Sequence, residues 1–455
     1  MNGNINRRDF LYAGAAAGAV AACSPRSLAR GSHRQTPPNI LLLTADQWTS
    51  SAFGFHGNPH VQTPNADRLA ARGIDFTKSY TSDPVCGPAR TCWMTGRMPN
   101  EHGVSLNQSR LVSSMVDLGQ WFGQHGYETV HIGKWHTPGR NPRASFQIYS
   151  GVHPSGQYCD DSSSSSAQSY LLSRKQERPF LLHVSLMNPH DICQIGCLRT
   201  GKGVIPLSDN LELPPLPSNF GARPTEPETL VSGVRNSRRR MCSLDWNETD
   251  WQMYNWMYYR YCEMIDSSVG RVLDALDASG EADNTLVVFT SDHGEGLGSH
   301  GLYWKAFMYE ASVRVPFVMA FPGRLARGET NNDVFVSGID LFPTFCDAAN
   351  IPRPDGLCGR SVLAQLEPGA QRSEYLVSSS SFNGRMVVDD RYKSIRYQGD
   401  RVRQLFDLAN DPGETVNVAD DHPAIIRQHN DMLVAFESRL TPYSVEEDWI
   451  RNNSQ

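Results

Sequence analysis

The sequence predicts an α/β fold in which a large sheet is sandwiched between helices, followed by a small C-terminal α+β subdomain. The first observation is a set of short, continuous apolar runs bounded by turn signals, at Asn39–Thr44, Phe180–Met187, Leu286–Thr290 and Pro316–Ala320. Runs of this kind read as strands buried on both faces. The second is the helical patterning between them. Thr63 stands as an N-cap with Pro64 at the first helical position and Gly73 beyond the end. A longer helix is predicted from a capping box at Thr249 and Gln252 to about Leu276, with apolar residues at helical spacing. The third is a change of pattern after about residue 365, where short strands are predicted at Tyr375–Ser379, Arg385–Asp389 and Arg403–Leu408, then a helix from about Pro423 to Leu440. The serine run Ser162–Ser166 and the Pro-rich stretch Val204–Arg223 read as surface insertions. These boundaries divide the chain into a segment 1–22, a main domain 38–364 and a subdomain 365–455.

The N-terminus carries Asn6-Arg7-Arg8-Asp9-Phe10-Leu11 before an apolar Ala- and Gly-rich run from Leu11 to Ala22. This is the pattern of a twin-arginine export signal, and it predicts an exported protein of the periplasm or cell envelope that uses the twin-arginine machinery. A run of about 12 apolar residues is short of the roughly 20 needed to span a bilayer, so no transmembrane span is predicted. Val20-Ala21-Ala22-Cys23 resembles a lipobox. Two readings stand open there: lipidation of Cys23, which would tether the protein to a membrane, or plain cleavage near Ala22 or Ala29. A formal net charge of −6 with no basic stretch argues against a nucleic-acid partner. Beyond Cys23 and Cys86, eight cysteines remain, an even number that permits disulfides in an exported protein without fixing their pairing.

The sharpest chemical signal is Cys86-Gly87-Pro88-Ala89-Arg90, followed by Thr95-Gly96-Arg97. Pro88 suits the first turn of a helix, which places residue 86 at a helix N-terminus where free N–H groups and the dipole favour an anion. Arg90, four residues on, shares that helical face. A second signal pairs Asp46-Gln47, just beyond one predicted strand, with Asp292-His293 just beyond another; the two carboxylates and the amide oxygen of Gln47 make a hard-oxygen site for a divalent cation. The third is Gly133-Lys134-Trp135-His136, in which an extended backbone would turn Lys134 and His136 to one side.

In these motifs the sequence resembles the type I sulfatase family of the alkaline phosphatase superfamily, from Asn39 through the C-terminal subdomain. The resemblance implies a large mixed sheet, a catalytic domain over 38–364, and a formylglycine produced from Cys86 by a formylglycine-generating enzyme. It implies metal ligation by Asp46, Gln47, Asp292, His293 and the modified Cys86, with Ca2+ the first expectation and Mn2+ or Mg2+ open because His293 offers nitrogen. Gln47 and His293 depart from the commoner Asp and Asn of the family. By the same resemblance Arg90 holds the nucleophile and Lys134 binds sulfate. His136 is the base that ejects sulfate, His190 in Asn188-Pro189-His190 protonates the leaving alcohol, and Lys305 neutralises charge on it. His300 reads as loop structure or substrate rim, His183 as a satisfied core histidine, and the aromatic stretch Trp251–Tyr261 as core.

The implied activity is hydrolysis of sulfate esters, with sulfated carbohydrate the expected partner and the insertions at Cys159–Ser166 and Asp191–Asp245 the expected pocket walls. The nearest rival is a phosphonate monoester or phosphodiester hydrolase on the same scaffold. A non-catalytic, carbohydrate-binding relative is disfavoured because Cys86, Arg90, Lys134 and His136 are all present.

Overall fold

The computed structural model describes residues 37–150, 155–194, 211–235, 243 and 246–442. The segment 1–22, Cys23, Cys197, Cys242 and part of the Pro-rich stretch lie outside the described residues. Among the described residues fourteen strands are formed: β1 (Asn39–Asp46), β2 (Ile74–Phe76), β3 (Ser79–Tyr80), β4 (Glu128–Gly133), β5 (Gln147–Ser150), β6 (Phe180–Pro189), β7 (Thr285–Ser291), β8 (Phe317–Ala320), β9 (Glu329–Asn331), β10 (Val336–Ser337), β11 (Leu376–Ser380), β12 (Gly384–Val388), β13 (Tyr392–Tyr397) and β14 (Gln404–Asp407). Eight build the main sheet in the order β5-β4-β6-β1-β7-β8-β2-β9. β4, β6, β1 and β7 run parallel, while β8 lies antiparallel to both its neighbours, so the sheet is mixed.

The central strands are buried along their whole length. Their alternation supplies two cores. Leu41 and Leu43 of β1, Leu182 and Val184 of β6, and Val287 and Phe289 of β7 face one layer with Tyr258, Ile265 and Val269. Ile40 and Leu42, Leu181, Leu286 and Val288 face the other, with Trp93, Phe122 and Phe345. A strand with helices on both sides has no solvated face, which is why these segments read as unbroken apolar runs.

The first helix, α1 (Pro64–Arg72), forms where Thr63 and Pro64 predict it, with Pro64 in its first turn. The long helix of the first layer spans Glu248–Ala278. Its N-cap is Asn247, not Thr249: Asn247 accepts the Asp250 backbone N–H at 3.0 Å, and the Asp250 side chain accepts the Asn247 N–H at 3.1 Å. The sequence offers both Asn-x-x-Asp and Thr-x-x-Gln, and asparagine is the stronger cap. The serine run also departs from expectation. Ser162–Ser166 lies inside a helix, Gly156–Ser173, and Ser163 and Ser164 are fully buried. Small side chains let this helix lie close to the sheet, and hydroxyls bond back to carbonyls of the preceding turn, as Ser164 does to Asp161 at 3.0 Å. Asp191, expected in a pocket wall, caps that helix instead by accepting the Gly156 and Gln157 N–H groups at 2.9 and 2.8 Å.

His183 is a core histidine, in line with the sequence, and His131 is buried beside it. The His131 and His183 Nδ1 atoms are 3.1 Å apart, His183 Nε2 lies 3.0 Å from the Thr44 hydroxyl, and His131 Nε2 lies 3.2 Å from Gly133 O. Burial lowers the pKa of both rings, that of His131 to about 3. With neutral rings the chain has one consistent assignment: His131 Nε2–H donates to Gly133 O, His183 Nδ1–H to His131, and Thr44 O–H to His183.

β11 to β14 form a four-stranded antiparallel meander, and the helix Pro423–Glu437 packs on it. Its other face meets Phe307, Met308 and Tyr309 of the loop that follows Lys305. That contact is pinned by a buried ion cluster. Lys393 of β13 is fully buried, 2.8 Å from Glu310 and 2.5 Å from Glu414. Lys393→Met would take the cation from Glu414 and leave Glu310 only the partly exposed Arg314 at 3.8 Å, and removing one partner of a buried pair costs about 3–5 kcal/mol. The melting midpoint of Lys393→Met is therefore expected to fall well below that of the parent in a thermal scan; an unchanged midpoint would show the cluster contributes nothing.

Candidate active site

Four parallel strands deliver polar residues to one edge of the sheet. Asp46 ends β1, Asp292 follows β7, Lys134 follows β4 and His190 follows β6. Such carboxyl-end crevices are where open α/β sheets place ligands. Gly133 makes the turn out of β4 with φ 94°, and a Cβ there would lie 2.0 Å from Ser185 O.

The helix α2 (Cys86–Thr95) aims its first residue into this crevice. Pro88 occupies the first turn, where no N–H is needed. Gly96 ends the helix in the left-handed region, φ 63°, and a Cβ there would strike Leu357 at 2.7 Å. Arg97 then fixes the exit by donating to Asp355 O at 2.6 Å. Cys86 Sγ lies 3.0 Å from Lys305 Nζ, 3.1 Å from His293 Nε2 and 3.7 Å from Asp46 Oδ1. Arg90, one turn on, donates to Asp292 Oδ2 at 2.7 Å, Asp46 Oδ2 at 3.2 Å and Ser185 Oγ at 2.6 Å. Lys134 Nζ also pairs with Asp46 Oδ2.

All of these groups are buried, so their charges set one another's protonation. Burial alone would raise the Asp46 carboxyl, but Lys134, His190, Lys305 and Arg90 together hold it well below the usual range. Burial and the adjoining Asp46 push Asp292 up, against His293 and Arg90. For Cys86, burial and Asp46 act upward, yet Lys305, Lys134 and His293 prevail and hold the thiol well below its usual value. His190 falls to about 3, chiefly through burial and then the nearby Lys134 and Lys305.

Ligand atoms of Asp46, Cys86, Asp292 and His293 all lie within 4.8 Å of one another. Two buried carboxylates and an imidazole converging this closely fit a divalent cation.

Residues 38–351 match the family model described as Sulfatase, and residues 298–441 match that of the C-terminal part of N-sulphoglucosamine sulphohydrolase. The chain belongs to the sulfatase family. It is a sulfuric ester hydrolase with an alkaline-phosphatase-like fold. A Delta 4,5-hexuronate-2-O-sulfatase of Bacteroides thetaiotaomicron is 31% identical, over 89% of this chain and 90% of that protein. An ulvan-active sulfatase of Formosa agariphila is 27% identical, over 88% and 77%. The solved structure of a 2-O GAG sulfatase matches at TM-score 0.79 and 29% identity, covering 90% of this chain and 96% of that one. A phosphonate monoester hydrolase of Agrobacterium radiobacter shares the fold, at TM-score 0.75 and 22% identity over 88% and 96%.

In this sulfatase, Asp46, Cys86, Arg90, Lys134, Asp292, His293 and Lys305 are brought together. Gln47 joins them, with Oε1 2.7 Å from Lys305 Nζ. The Arg90 guanidinium is directed at the two carboxylates and Ser185. His136 does not sit on a simple extended segment: its φ is 49° and Gly133 already turns the chain. The Nδ1 atoms of His136 and His190 are buried without a hydrogen-bond partner among the described residues, as expected of groups that await a ligand. His300 is loop structure, stacked on Tyr309 at 4.0 Å.

Several supporting residues carry no signal in the sequence. Thr81 Oγ1 donates to Asp292 O at 2.5 Å, Tyr258 O–H to Gln47 O at 2.6 Å, and Ser291 Oγ accepts the Trp48 N–H at 2.8 Å. Ser185 shows only as a polar residue in an apolar run. Glu295 stands just beyond the Asp292-His293 pair, and its spacing points to no role; it is fully buried and contacts Gln47.

A cation bound only by the folded chain adds about 2.7 kcal/mol of stability at a hundredfold excess over Kd. Chelation is therefore expected to lower the melting midpoint and added calcium or manganese to restore it, with Asp46→Asn abolishing the shift. A midpoint indifferent to chelator and cation would show that the cluster holds no metal.

Proposed function

We propose that this sulfatase hydrolyses sulfate esters of carbohydrates outside the cytoplasm, using a formylglycine made from Cys86 and one divalent cation held by Asp46, Gln47, Asp292 and His293. The observation that carries it is Cys86 at the buried N-terminus of α2, 3.0 Å from Lys305 and 3.1 Å from His293. Carbohydrate as substrate is supported by relatives named for hexuronate, ulvan and N-acetylglucosamine sulfates. Calcium is the proposed cation for a site rich in carboxylate oxygen, with manganese and magnesium the alternatives that the nitrogen of His293 brings in.

When present, the hydrated aldehyde supplies the attacking oxygen and the cation polarises it. The chain's own residues do the rest. Arg90 fixes the Asp46 and Asp292 carboxylates, so no ligand reorganises as charge shifts. Lys134 and Lys305, on either side of Asp46, present two cations to the sulfate group and to the oxygen that leaves with the alcohol. His190 stands ready to donate to that oxygen. His136 takes the proton whose removal ejects sulfate.

Export is proposed to follow the twin-arginine route from Arg7-Arg8, with Cys23 the point of lipid attachment if the mature chain begins there. Oxidation of Cys86 is assigned to a formylglycine-generating enzyme.

Active protein is expected to show the mass of an aldehyde at residue 86, and Cys86→Ala to be inactive while folded. Full turnover by chains whose Cys86 is wholly a thiol would overturn the mechanism. Matched aryl sulfate and phosphodiester substrates, assayed side by side, are expected to favour the sulfate; the reverse preference would make this a phosphodiesterase on a sulfatase scaffold.

His136→Ala is expected to slow release of sulfate more than attack on sulfur. Intact-mass spectrometry after brief exposure to substrate is then expected to find a sulfated chain. An inactive, folded variant with no adduct would place His136 earlier in the reaction.

A further inference from the structure

We propose that Glu295 is a positioning residue for the cation site, holding the amide of Gln47 so that its oxygen faces the cluster around Cys86. The proposal rests on the reading of Asp46, Gln47, Asp292 and His293 as cation ligands.

The backbone of Gln47 is already fixed. Its φ is 73°, its N–H donates to Asp292 Oδ1 at 2.9 Å, and its carbonyl accepts the Tyr258 hydroxyl at 2.6 Å. What remains free is the direction of the side-chain amide, which presents either an acceptor or a donor to the cation. An amide nitrogen carries two hydrogens and no available lone pair, so only the oxygen orientation ligates.

Two opposed neighbours decide it. Lys305 Nζ, a donor only, lies 2.7 Å from Oε1 and 3.0 Å from Cys86 Sγ, so the oxygen faces the cluster. On the far side Glu295 Oε2 accepts Nε2 at 2.5 Å. Cys193 Sγ, 3.2 Å from Nε2 and 3.4 Å from Oε1, touches both amide atoms and so selects neither.

Glu295 is itself held as an acceptor. It is fully buried, and its Oε1 takes the backbone N–H of Gly296 at 3.0 Å and that of Trp304. Trp304, φ 74°, and Ala306, φ 73°, bracket Lys305 in left-handed backbone. One buried carboxylate thus ties the amide of Gln47 to the strained turn that delivers Lys305.

The test exploits this polarity. In Glu295→Gln the new side chain keeps its oxygen on the Gly296 and Trp304 N–H groups, which turns its NH2 toward Gln47 Nε2. Gln47 must then flip and set its own NH2 against Lys305 and the cation. Pairing Glu295→Gln with Gln47→Glu restores every donor–acceptor contact, because a carboxylate at position 47 accepts from both sides.

Affinity is read by isothermal titration of Ca2+, and separately of Mn2+, into the full chain stripped with a chelator. Glu295→Gln is expected to weaken calcium binding roughly tenfold to a hundredfold, the range typical of lost outer-shell partners. Gln47→Glu is measured alone as the control for its added charge, and the paired variant is expected to gain more affinity over Glu295→Gln than Gln47→Glu gains over the parent, a coupling that a merely structural role for Glu295 would not produce. Parent-like affinity in Glu295→Gln, or a paired variant that folds yet binds as weakly as the single one, overturns the proposal. If Glu295→Gln does not fold, the paired variant is compared with Gln47→Glu: tighter calcium binding in the paired variant supports the proposal, and equal or weaker binding overturns it. A parent chain that binds neither cation sinks the ligand reading itself, an outcome distinct from the other two.

Discussion

Two carboxylates buried at the ends of neighbouring parallel strands are the constraint on which this molecule depends. β1 and β7 are paired in the sheet centre, and they leave Asp46 and Asp292 side by side with no exposure to solvent. Each buried ion costs several kcal/mol unless it is paired and hydrogen-bonded. Arg90 bridges both carboxylates, Lys134 meets Asp46, and Lys305 approaches Asp46 at 3.9 Å. These cations come from α2, from the end of β4 and from the turn after β7. Satisfying two charges therefore brings three separate parts of the chain to one point, and Cys86 rides in on the helix that carries Arg90.

Convergence of this kind bends the backbone. Gln47, His136, Trp304 and Ala306 all adopt positive φ without being glycine, and all lie in or next to the crevice. Residues in such conformations persist where the surroundings over-determine them, and they gather at functional sites. Here the surroundings are visible: Tyr258 and Asp292 hold the backbone of Gln47, and Glu295 holds that of Trp304. The C-terminal meander takes part as well. It covers Phe307 to Tyr309, just beyond Lys305, and buries Lys393 between Glu310 and Glu414.

What is legible in the sequence follows from the same physics. β1, β6 and β7 announce themselves because burial on both faces leaves mostly apolar residues, and their ends fall within a few residues of the predicted ones. The motif residues are legible because chemistry needs particular types at particular spacings, as with Cys86 and Arg90 one helical turn apart. β13 is not, since Tyr-Lys-Ser-Ile-Arg-Tyr alternates through a lysine that is buried only because two distant glutamates meet it. The serine helix reads as a loop because its buried face needs small residues, which in sequence look like a linker. Glu295 is silent for a similar reason: its partners, Gln47 and the Trp304 N–H, lie far away or on the backbone, and no local spacing encodes them.

The electrostatics that serve the site also constrain how it can mature. A thiol at residue 86, which burial and Asp46 act to raise and which Lys305, Lys134 and His293 hold well below its usual pKa, offers no hydroxyl to a substrate. Cys86 is only 1% exposed, and every residue of α2 is buried with it. An enzyme that oxidises this cysteine cannot reach it once α2 has packed between Arg90's carboxylates and the core around Trp93. Since twin-arginine export carries folded chains, oxidation along that proposed route has to precede both folding and export. The burial of Cys86 within α2 therefore places its proposed oxidation before that helix packs.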